Sequence, residues 1–376
     1  MSRLDELIQE LCPAGVELRK IKEVYTRLKG TPITAGKMKE IDNPNGDIKV
    51  FAGGKTVIKA FEEDIPRANI IRVPAVLVQS RGVIDAVYYE EPFTFKNEMW
   101  AYTADEKTSV KYLYYVLKNN IQQFRVAASG MGSMPQISLK VTEEFIIPVP
   151  PLPVQSEIVR ILDNFTELTA ELTAELTARK QQYEYYRKEL LTFTDDVKKV
   201  PLIDVVKIKR GVRVVKSQLA VEGEYPVFQN SMTPLGYMDK ANCTGDTAFI
   251  ITAGAAGEIG YTDNDFWAAD DCFSFECPQY LKSKYLYYIL LCQKNTIYSK
   301  VRKASIPRLP RSAIEKLIIP VPNVDIQEKI VDVLDRFDTL CNDISKGLPA
   351  EIEARQKQYE YYRDKLLTFK ESSDEN

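Results

Sequence analysis

The 376-residue sequence contains no histidine. Histidine is the usual general base, the usual partner of a catalytic serine or cysteine, and a usual zinc ligand. Its absence excludes Ser-His and Cys-His nucleophiles and every histidine-based metal site. We therefore expect a chain with no catalytic site and no metal site of its own.

Cysteine pairs and long apolar runs are also missing. The six cysteines form no CxxC pair and indicate no disulfide framework, so we interpret them as small buried thiols. The longest apolar runs, such as residues 249–256, fall far short of the roughly 20 residues that cross a bilayer. The amino terminus, MSRLDELIQE, is acidic and amphipathic, whereas a signal peptide begins cationic and then turns apolar. We expect a cytoplasmic protein.

The composition is that of a globular protein, with 45% hydrophobic and 27% charged residues, and 376 residues exceed what one hydrophobic core usually organises. The net charge of −3 argues only weakly against a nucleic-acid binder, because phosphate contacts need one basic face. Residues 198–216 hold seven basic residues and one acid, and residues 300–311 hold five basic residues and no acid. Each cluster is either such a face or an ordinary solvated surface.

The chain repeats itself. IIPVP occurs at residues 146–150 and again at 318–322. A helix opening follows each copy, QSEIVRILDNF from Gln155 and QEKIVDVLDRF from Gln327, and each helical region closes with QYEYYR and LLTF. Each half is therefore a divergent globular part followed by a near-duplicate helical region. We place the four segments at residues 1–150, 151–195, 196–322 and 323–376.

The globular parts mix short strands with a helix. Strand-like runs at residues 75–79, 87–89 and 247–252 are punctuated by Gly, Pro and Asn, and each part has one helix around a YLYY motif. The pattern predicts an α+β fold in which two mixed α/β parts are related by an internal pseudo-twofold repeat. The strand order does not follow from these runs.

The first helical region is the most regular segment. From Ile158 onwards apolar residues recur three or four positions apart, and no proline interrupts residues 154–193. A helix of about 39 residues would be roughly 58 Å long, which is more than the width of a small domain. It therefore needs a packing partner, and its own repeat is the obvious one.

The second helical region differs from the first. Asp325 with Glu328 three residues later predicts a capping box at its start. Gly347 and Pro349 predict a break, and Pro349 predicts that a new helix begins within one turn of it.

Fragments that imitate catalytic motifs fail on spacing. The run GGKT at residues 53–56 ends like a phosphate-binding loop, but Lys49 stands where the first glycine is required. There is no GxGxxG fingerprint and no adenine methyltransferase signature. The acidic runs at residues 62–64 and 270–271 could hold a metal, but solvated or hydrogen-bonded carboxylates are the favoured interpretation. The sequence therefore indicates a binding protein.

Four features resemble one known family. The doubled IIPVP with a following glutamine and apolar helix, the TAEL repeats at residues 169–176, the run GLPAEIEARQKQYEYYRDKLL from Gly347 and the opening MSRLDELIQELCPAGVE resemble specificity subunits of type I restriction-modification systems. The resemblance covers the whole chain in order, although the globular parts match only in layout. It implies that each globular part is a target recognition domain for one half of a split, asymmetric DNA site. It also implies that the two long helices pair antiparallel as a coiled coil, which sets the unread spacer.

The resemblance further implies partner subunits. Two modification subunits would bind S-adenosylmethionine and methylate adenine N6, and two motor-nuclease subunits using ATP and Mg²⁺ would complete the restriction complex. This chain would bind double-stranded DNA, hold no cofactor and catalyse nothing itself. The docking surface for the partners would include Gln155, Tyr183, Tyr185, Tyr186, Arg187, Gln327, Tyr359, Tyr361, Tyr362 and Arg363. For Tyr183 and Tyr186 a coiled-coil core is an equally good interpretation, whereas Tyr185 points elsewhere and is the better docking candidate.

Candidate DNA contacts follow from residue chemistry and layout. Arg or Lys typically reads guanine and Asn or Gln reads adenine, whereas phosphates accept from any Lys, Arg or backbone amide. The candidates in the first globular part are Thr31, Lys37, Lys55, Arg81, Arg125, Ser133 and Gln136. Those in the second part are Arg210, Arg213, Lys216, Gln229, Asn230, Arg302, Lys303 and Arg308. The loop at residues 253–257, AGAAG, is less basic than is usual in the family, so a phosphate contact there would come from its backbone amides.

Two other functions stay open from the sequence. A non-catalytic adaptor would use the paired helices to present two protein-binding domains, with no role in DNA recognition. A self-sufficient enzyme is disfavoured by the lack of histidine and of an intact nucleotide or methyl-donor motif. Protein binding that is insensitive to salt, together with no affinity for DNA, would identify the adaptor.

Overall fold

The computed structural model describes residues 2–128, 134–194 and 196–372. The chain divides into two compact units: unit 1 comprises Met1–Glu171 and Ile352–Asn376, and unit 2 comprises Leu172–Glu351. Each unit combines one globular part with segments from both helical regions. The four-segment division of the sequence stays a prediction.

Unit 1 is a mixture of short strands and short helices. Its strands are β1 (Glu17–Lys20), β2 (Thr26–Leu28), β3 (Ile48–Phe51), β4 (Val57–Ala60), β5 (Ala75–Gln79), β6 (Asp85–Tyr89), β7 (Phe93–Phe95), β8 (Trp100–Thr103) and β9 (Ile146–Val149). Its globular part contains the helices α1 (Arg3–Leu11), α2 (Ile21–Val24), α3 (Ala35–Ile41), α4 (Lys107–Asn119), α5 (Ile121–Val126) and α6 (Leu139–Glu143). The long helix α7 (Leu152–Leu190) begins in unit 1 and ends in unit 2.

Unit 2 is built from the same kinds of element. Its strands are β10 (Lys199–Pro201), β11 (Lys207–Arg210), β12 (Tyr225–Phe228), β13 (Tyr237–Met238), β14 (Thr247–Ile251), β15 (Ile259–Thr262), β16 (Trp267–Ala268), β17 (Cys272–Glu276) and β18 (Ile318–Pro320). The helices that follow in the chain are α8 (Ser283–Cys292), α9 (Lys294–Ser299), α10 (Arg311–Glu315), α11 (Val324–Asn342) and α12 (Leu348–Leu366). The last of these runs from unit 2 into unit 1.

The two units share one sheet topology. In unit 1 the order β2-β8-β5-β6 forms a four-stranded sheet, β4-β3-β7 a three-stranded sheet, and β1 pairs with β9. Unit 2 repeats this with β11-β17-β14-β15, β13-β12-β16 and β10-β18. The pairs β3-β7 and β12-β16 are parallel in both units. The α+β fold with an internal repeat is therefore confirmed, and the repeat extends into sheets whose sequences have diverged.

The predicted strands and helices of the globular parts are also confirmed. Strands β5 and β14 are buried along their whole length, which the apolar runs AVLVQ and TAFII require. The YLYY motifs lie on α4 and α8, where Tyr112 and Tyr285 are fully buried. Their hydroxyls donate hydrogen bonds to the carbonyls of Pro148 and Pro320, both at 3.2 Å. Each YLYY helix is thereby fixed to the IIPVP strand of its own unit.

Helix α7 is continuous over 39 residues, as its apolar spacing predicts. Pro153 lies in its first turn, where a backbone donor is not needed. Three threonines of the helix, at positions 166, 169 and 177, donate their hydroxyls to carbonyls four residues earlier. Each threonine hydroxyl thereby has a hydrogen-bond acceptor within the helix itself.

The second helical region is broken where the sequence predicts. Helix α11 ends at Asn342 and α12 begins at Leu348. A Cβ on Gly347 would lie 2.4 Å from the Thr339 carbonyl oxygen, so the break needs glycine at this position. The predicted capping box is wrong, because the N-cap of α11 is Asn323, whose side chain accepts from the Ile326 amide at 3.0 Å.

Aromatic rings pack these helices within each unit. In unit 1 the Phe165 ring stacks on Tyr362 with centroids 5.5 Å apart. In unit 2 the Phe337 ring stacks on Tyr186 at 5.6 Å and on Tyr183 at 6.1 Å. The QYEYYR motif therefore meets an equivalent phenylalanine in each unit. An antiparallel coiled coil along the whole of α7 stays a prediction. Across the described ranges, no helix has the length and apolar character to span a membrane.

Candidate nucleic-acid interface

Unit 1 has a concavity of about 450 Å³ beside its three-stranded sheet. Helix α3, the loop after β3, the turn after β5 and the segment before α6 all contribute to its walls. The lining residues are Ala35, Met38, Lys39, Asp42, Ala52, Gly53, Gly54, Thr56, Ile58, Arg81, Gly82, Lys96, Glu98 and Met134. The wall thus combines cationic side chains and two carboxylates with partly exposed glycine backbone, and the cations and backbone amides suit a phosphate-bearing ligand.

Backbone hydrogen bonds tie these segments together. The Gly54 amide donates to the Arg81 carbonyl at 2.9 Å, and the Gly82 amide donates to the Pro135 carbonyl at 2.9 Å. Gly54 has φ 74° and Gly82 has φ 78°, a left-handed conformation that glycine adopts at no steric cost. An isolated bridge joins Arg81 to Gln136. Two residues 55 positions apart in sequence are thereby held side by side.

Unit 2 has an equivalent concavity of about 350 Å³. Its lining residues are Arg210, Thr252, Asp270, Asp271, Phe273, Arg302, Ala304, Ile306, Arg308, Leu309 and Pro310. Gly254, with φ 77°, takes the place of Gly82, and its amide donates to the Pro307 carbonyl at 3.2 Å. The bridge here joins Ala253 to Arg308. The two units therefore share a backbone framework but present different side chains on it.

Among the unit 1 candidates, Arg81 lines the concavity and donates from Nε to the Met134 sulfur at 3.2 Å. Lys55 lies in the loop after β3 and Gln136 lies opposite Arg81. Lys37 is on α3 and forms an ion pair with Glu40 at 2.7 Å.

Other unit 1 candidates lie elsewhere. Arg125 is on α5, where its Nε donates to the Ile84 carbonyl at 3.1 Å, and it does not line the concavity. Thr31 is a correction: it is 0% exposed. Its hydroxyl lies 2.7 Å from that of Thr94 and accepts from the Asn69 amide at 2.9 Å. A buried hydroxyl with these partners cannot reach DNA, so we remove Thr31 from the candidates. Ser133 lies outside the described residues.

In unit 2 the structure brings three of the candidate arginines together, since Arg210, Arg302 and Arg308 all line the concavity. The Arg210 guanidinium donates from Nε to the Asp270 carbonyl at 3.2 Å. Three more candidates, Lys303, Arg213 and Lys216, are exposed but lie outside its lining.

The remaining candidates of unit 2 are amides. The Gln229 side-chain amide lies near the concavity, because it donates to Asp270 Oδ1 at 3.3 Å. The Asn230 carbonyl accepts from the Ala255 amide at 2.9 Å, which fixes the loop after β12 against the AGAAG turn.

For two residues the predicted docking role is wrong. Gln155 and Gln327 are 5% and 0% exposed. Their amide nitrogens donate to the carbonyls of Pro150 and Pro322, both at 2.8 Å. They close the turn between the IIPVP strand and the helix that follows. The repeated glutamine is thus explained by helix entry, and neither side chain is available to a partner.

The tyrosines of the QYEYYR motifs divide by exposure. Tyr183 is buried against Phe337 in the core of unit 2, and burial raises the pKa of its hydroxyl. Burial likewise raises the pKa of Tyr359. Tyr185 and Tyr361 are 60% and 63% exposed and face solvent in their units. They are the best docking candidates.

The other docking candidates are partly covered. Tyr186 and Tyr362 stack on phenylalanine rings, as described above, and keep one side exposed. The Arg187 and Arg363 guanidinium groups lie over the rings of Tyr183 and Tyr359 at 5.2 and 5.6 Å.

Each acidic run considered for a metal has one carboxylate with another partner, and in the run at residues 270–271 this is Asp270, which accepts from the Gln229 side-chain amide at 3.3 Å. Glu62 forms an ion pair with Arg72 at 2.5 Å. Within the described part of the chain, no group of three or more Cys, Asp or Glu side chains could hold a metal ion.

Sequence reasoning missed Lys39, Lys96 and Glu98, which line the concavity of unit 1. Their signal is weak, because they lie on different elements and only the folded chain brings them together.

Comparisons with known proteins agree with these features. The family model described as type I restriction modification DNA specificity domain matches residues 13–179 and 194–354. The chain is 34% identical over 294 residues to the type I restriction enzyme EcoR124I/EcoR124II specificity subunit of Escherichia coli, a match that covers 70% of this chain and 72% of that relative. It is 28% identical over 314 residues to the type I restriction enzyme MpnII specificity subunit of Mycoplasma pneumoniae, covering 65% of this chain and 94% of that relative. A crystal structure of a type I restriction-modification system S subunit from M. genitalium superposes with a TM-score of 0.69 at 17% identity, over 93% of this chain and 96% of that one, and so shows the same fold.

Proposed function

The chain belongs to the type I restriction modification DNA specificity family, and from this premise we propose that it reads a two-part, asymmetric DNA site with an unread spacer. The observation that carries the proposal is the pair of concavities, which share a framework and differ in side chains. Arg81 bridges Gln136 in unit 1, and at the corresponding positions of unit 2 Ala253 bridges Arg308. One framework with two side-chain sets suits two half-sites of different sequence.

In this proposal each concavity supplies the DNA contacts of its unit. Arginines reach both phosphate oxygens and the guanine edge, and the glycine turns let backbone amides approach a phosphate. Unit 1 would use Arg81 of the concavity, with Lys55 from the adjoining loop and Gln136 opposite Arg81. Unit 2 would use Arg210, Arg302 and Arg308.

The second part of the proposal concerns partners. The chain would direct adenine N6 methylation and restriction that other subunits carry out, and would itself be non-catalytic. Two modification subunits would supply S-adenosylmethionine, and two motor-nuclease subunits would use ATP and Mg²⁺. The exposed tyrosines Tyr185 and Tyr361 support a repeated partner, because each unit presents one in the same motif.

The proposal is tested by single-molecule methylome sequencing of cells that express the chain with its modification subunit, compared with cells that lack the chain. We expect N6-methyladenine at one split, asymmetric motif, and its loss without the chain. An unchanged methylome would contradict the proposal and favour the adaptor.

A further inference from the structure

Each concavity is lined by two acidic residues, and one of the two lies at the same place in the framework of both units. In unit 1 the Ser80 hydroxyl donates to the Glu98 carbonyl at 2.6 Å. In unit 2 the Thr252 hydroxyl donates to the Asp271 carbonyl at 3.0 Å. Both acidic residues line the concavity of their unit. Glu98 and Asp271 are therefore equivalent positions in two units whose other lining residues differ.

The strand register supports this equivalence. Glu98 lies two residues before Trp100, which pairs with Val78 of β5. Asp271 lies two residues before Phe273, which pairs with Ile250 of β14. The acidic residue thus has the same position in the strand register relative to the buried central strand in both sheets.

The backbone that carries each carboxylate is held in a tight turn. In unit 1 the Lys96 amide donates to the Phe51 carbonyl at 2.9 Å, and the Met99 amide donates to the Lys96 carbonyl at 3.0 Å. In unit 2 the Ala269 amide donates to the Phe228 carbonyl at 2.8 Å, and the Cys272 amide donates to the Ala269 carbonyl at 2.9 Å. The backbone at each position is therefore fixed before any ligand arrives, which lowers the entropic cost of binding.

The surroundings of the two carboxylates differ. Glu98 Oε1 lies 2.9 Å from Lys96 Nζ, and the two side chains are 25% and 21% exposed. The ion pair engages one carboxylate oxygen, and a carboxylate has acceptor capacity on both. Gly53 lies beside this carboxylate, since a Cβ there would be 3.9 Å from Glu98 Oε1, and a Cβ on Gly54 would meet nothing within 4 Å.

In unit 2 Ala269 takes the place of Lys96, and the positive charge comes from arginines across the concavity. Arg210, Arg302 and Arg308 line the same space as Asp271. Both carboxylates therefore lie among cations that would hold DNA.

A carboxylate at such a surface is repelled by phosphates. The groups of a base pair that attract it are exocyclic amino groups, and cytosine N4 is the usual partner of Glu or Asp in the major groove. We propose that Glu98 and Asp271 are specificity-determining residues, each of which accepts a hydrogen bond from the exocyclic amino group of one base in its half-site. The inference rests on the proposed function and assigns the chemistry of one position in each half-site.

The first test compares the methylomes of complexes that carry wild-type chain, Glu98→Gln, Asp271→Asn or Glu62→Gln. Glutamine and asparagine keep the size of the side chain but add a donor, so they no longer select an amino group. We expect Glu98→Gln to relax or change one position of one half-site, and Asp271→Asn to change one position of the other. Glu62→Gln removes a carboxylate from the exposed ion pair with Arg72 in unit 1, and should leave the motif intact.

The second test uses the purified complex and short duplexes that carry the motif. At each position of the wild-type motif in turn, cytosine is replaced by pyrimidin-2-one, or adenine by purine, which removes only the amino group; the position read by Glu98 is the one at which the loss of affinity differs between the wild-type and Glu98→Gln complexes. We expect wild-type affinity to fall about tenfold or more, as expected for one base contact. The affinity of the Glu98→Gln complex should fall far less when the same amino group is removed. This measurement also decides the case in which Glu98→Gln abolishes methylation altogether.

The possible outcomes distinguish a failure of the proposed function from a failure of the role proposed for Glu98 and Asp271. A wild-type complex that methylates no split motif contradicts the proposed function. A split wild-type motif that both carboxylate variants reproduce at every position overturns this inference alone. So does an equal loss of affinity by wild-type and Glu98→Gln complexes when the amino group is removed.

Discussion

The Tyr115 hydroxyl donates a hydrogen bond to Asp163 Oδ1 at 2.5 Å, which joins helix α4 to helix α7 in unit 1. Tyr288 and Asp335 repeat this contact at 2.5 Å between α8 and α11 in unit 2. Burial, with the hydrogen bond to Asp163, raises the pKa of Tyr115. The globular part and the helical segment of each unit are therefore fixed to each other by the same polar contact.

Removal of either hydroxyl should destabilise its unit. Tyr115→Phe and Tyr288→Phe each delete a partly buried hydrogen bond to a carboxylate, and a hydrogen bond to a charged group contributes up to about 1.5–3 kcal/mol. We expect a lower thermal unfolding midpoint for both variants. Tyr280→Phe is the control, because Tyr280 is exposed. Equal midpoints for Tyr115→Phe and wild type would show that this contact does not stabilise unit 1.

The two buried glutamines should differ in how much each contributes to the stability of the fold. Gln327 Nε2 donates to the carbonyls of Pro322 and Tyr280, and its Oε1 accepts from the Lys282 amide. Gln155 Nε2 donates to Pro150, and its Oε1 is buried with no hydrogen-bond partner among the described residues.

We therefore expect Gln327→Ala to destabilise the chain more than Gln155→Ala, by about 1–3 kcal/mol for the additional buried groups left unpaired. Urea unfolding of the two variants in parallel measures the difference. A larger loss for Gln155→Ala would contradict the assignment.

The ion pairs of Glu144 should be sensitive to pH. Its carboxylate lies 2.6 Å from Lys20 Nζ and 2.5 Å from Lys22 Nζ, and these lysines lower its pKa from 4.5 to about 2. A carboxylate with a lowered pKa stabilises the fold above its ordinary pKa, and this contribution is lost as the pH falls through the lowered value.

The thermal midpoints of wild type and Glu144→Gln should therefore differ slightly at about pH 7 and converge near pH 2. High salt should shrink the difference at neutral pH, because these charges are partly exposed. A difference between the two midpoints that grows as the pH falls would contradict a stabilising role for the Glu144 ion pairs.

A third TAEL repeat in α7 should change the DNA spacer. Four added residues lengthen a helix by about 6 Å and turn it by one turn plus roughly 40°. We expect a spacer longer by about one or two base pairs, at roughly 3.4 Å each, with both half-sites unchanged. Methylome sequencing of the insertion variant measures this. A changed half-site with a constant spacer would refute the role of the helix in spacing.

Several features could be predicted because they depend on local sequence. The continuous α7, the break at Gly347 and the buried strand β5 follow from apolar spacing and helix breakers. Thr31 could not be placed correctly, because its burial depends on Thr94, which is 63 residues away in the chain. The capping box failed because Asn323, two residues before Asp325, caps the helix instead.

The candidate interface was predictable only in part. Basic clusters in unit 2 led to Arg210, Arg302 and Arg308, which the fold does bring together. In unit 1 the lining residues come from separate elements, and sequence distance hides their proximity. Gln155 and Gln327 were misjudged because a repeated residue was taken as a shared surface, whereas both perform the same buried function.

The central claim is that each unit reads its own half of one split site, and parallel methylomes of Arg81→Ala and Arg308→Ala test it most directly. Both arginines lie on the bridge that closes the concavity of their unit. The account predicts that Arg81→Ala alters or weakens recognition in one half-site, that Arg308→Ala does so in the other, and that the spacer stays constant. Changes in the same half-site, or an unchanged motif in both variants, would contradict it.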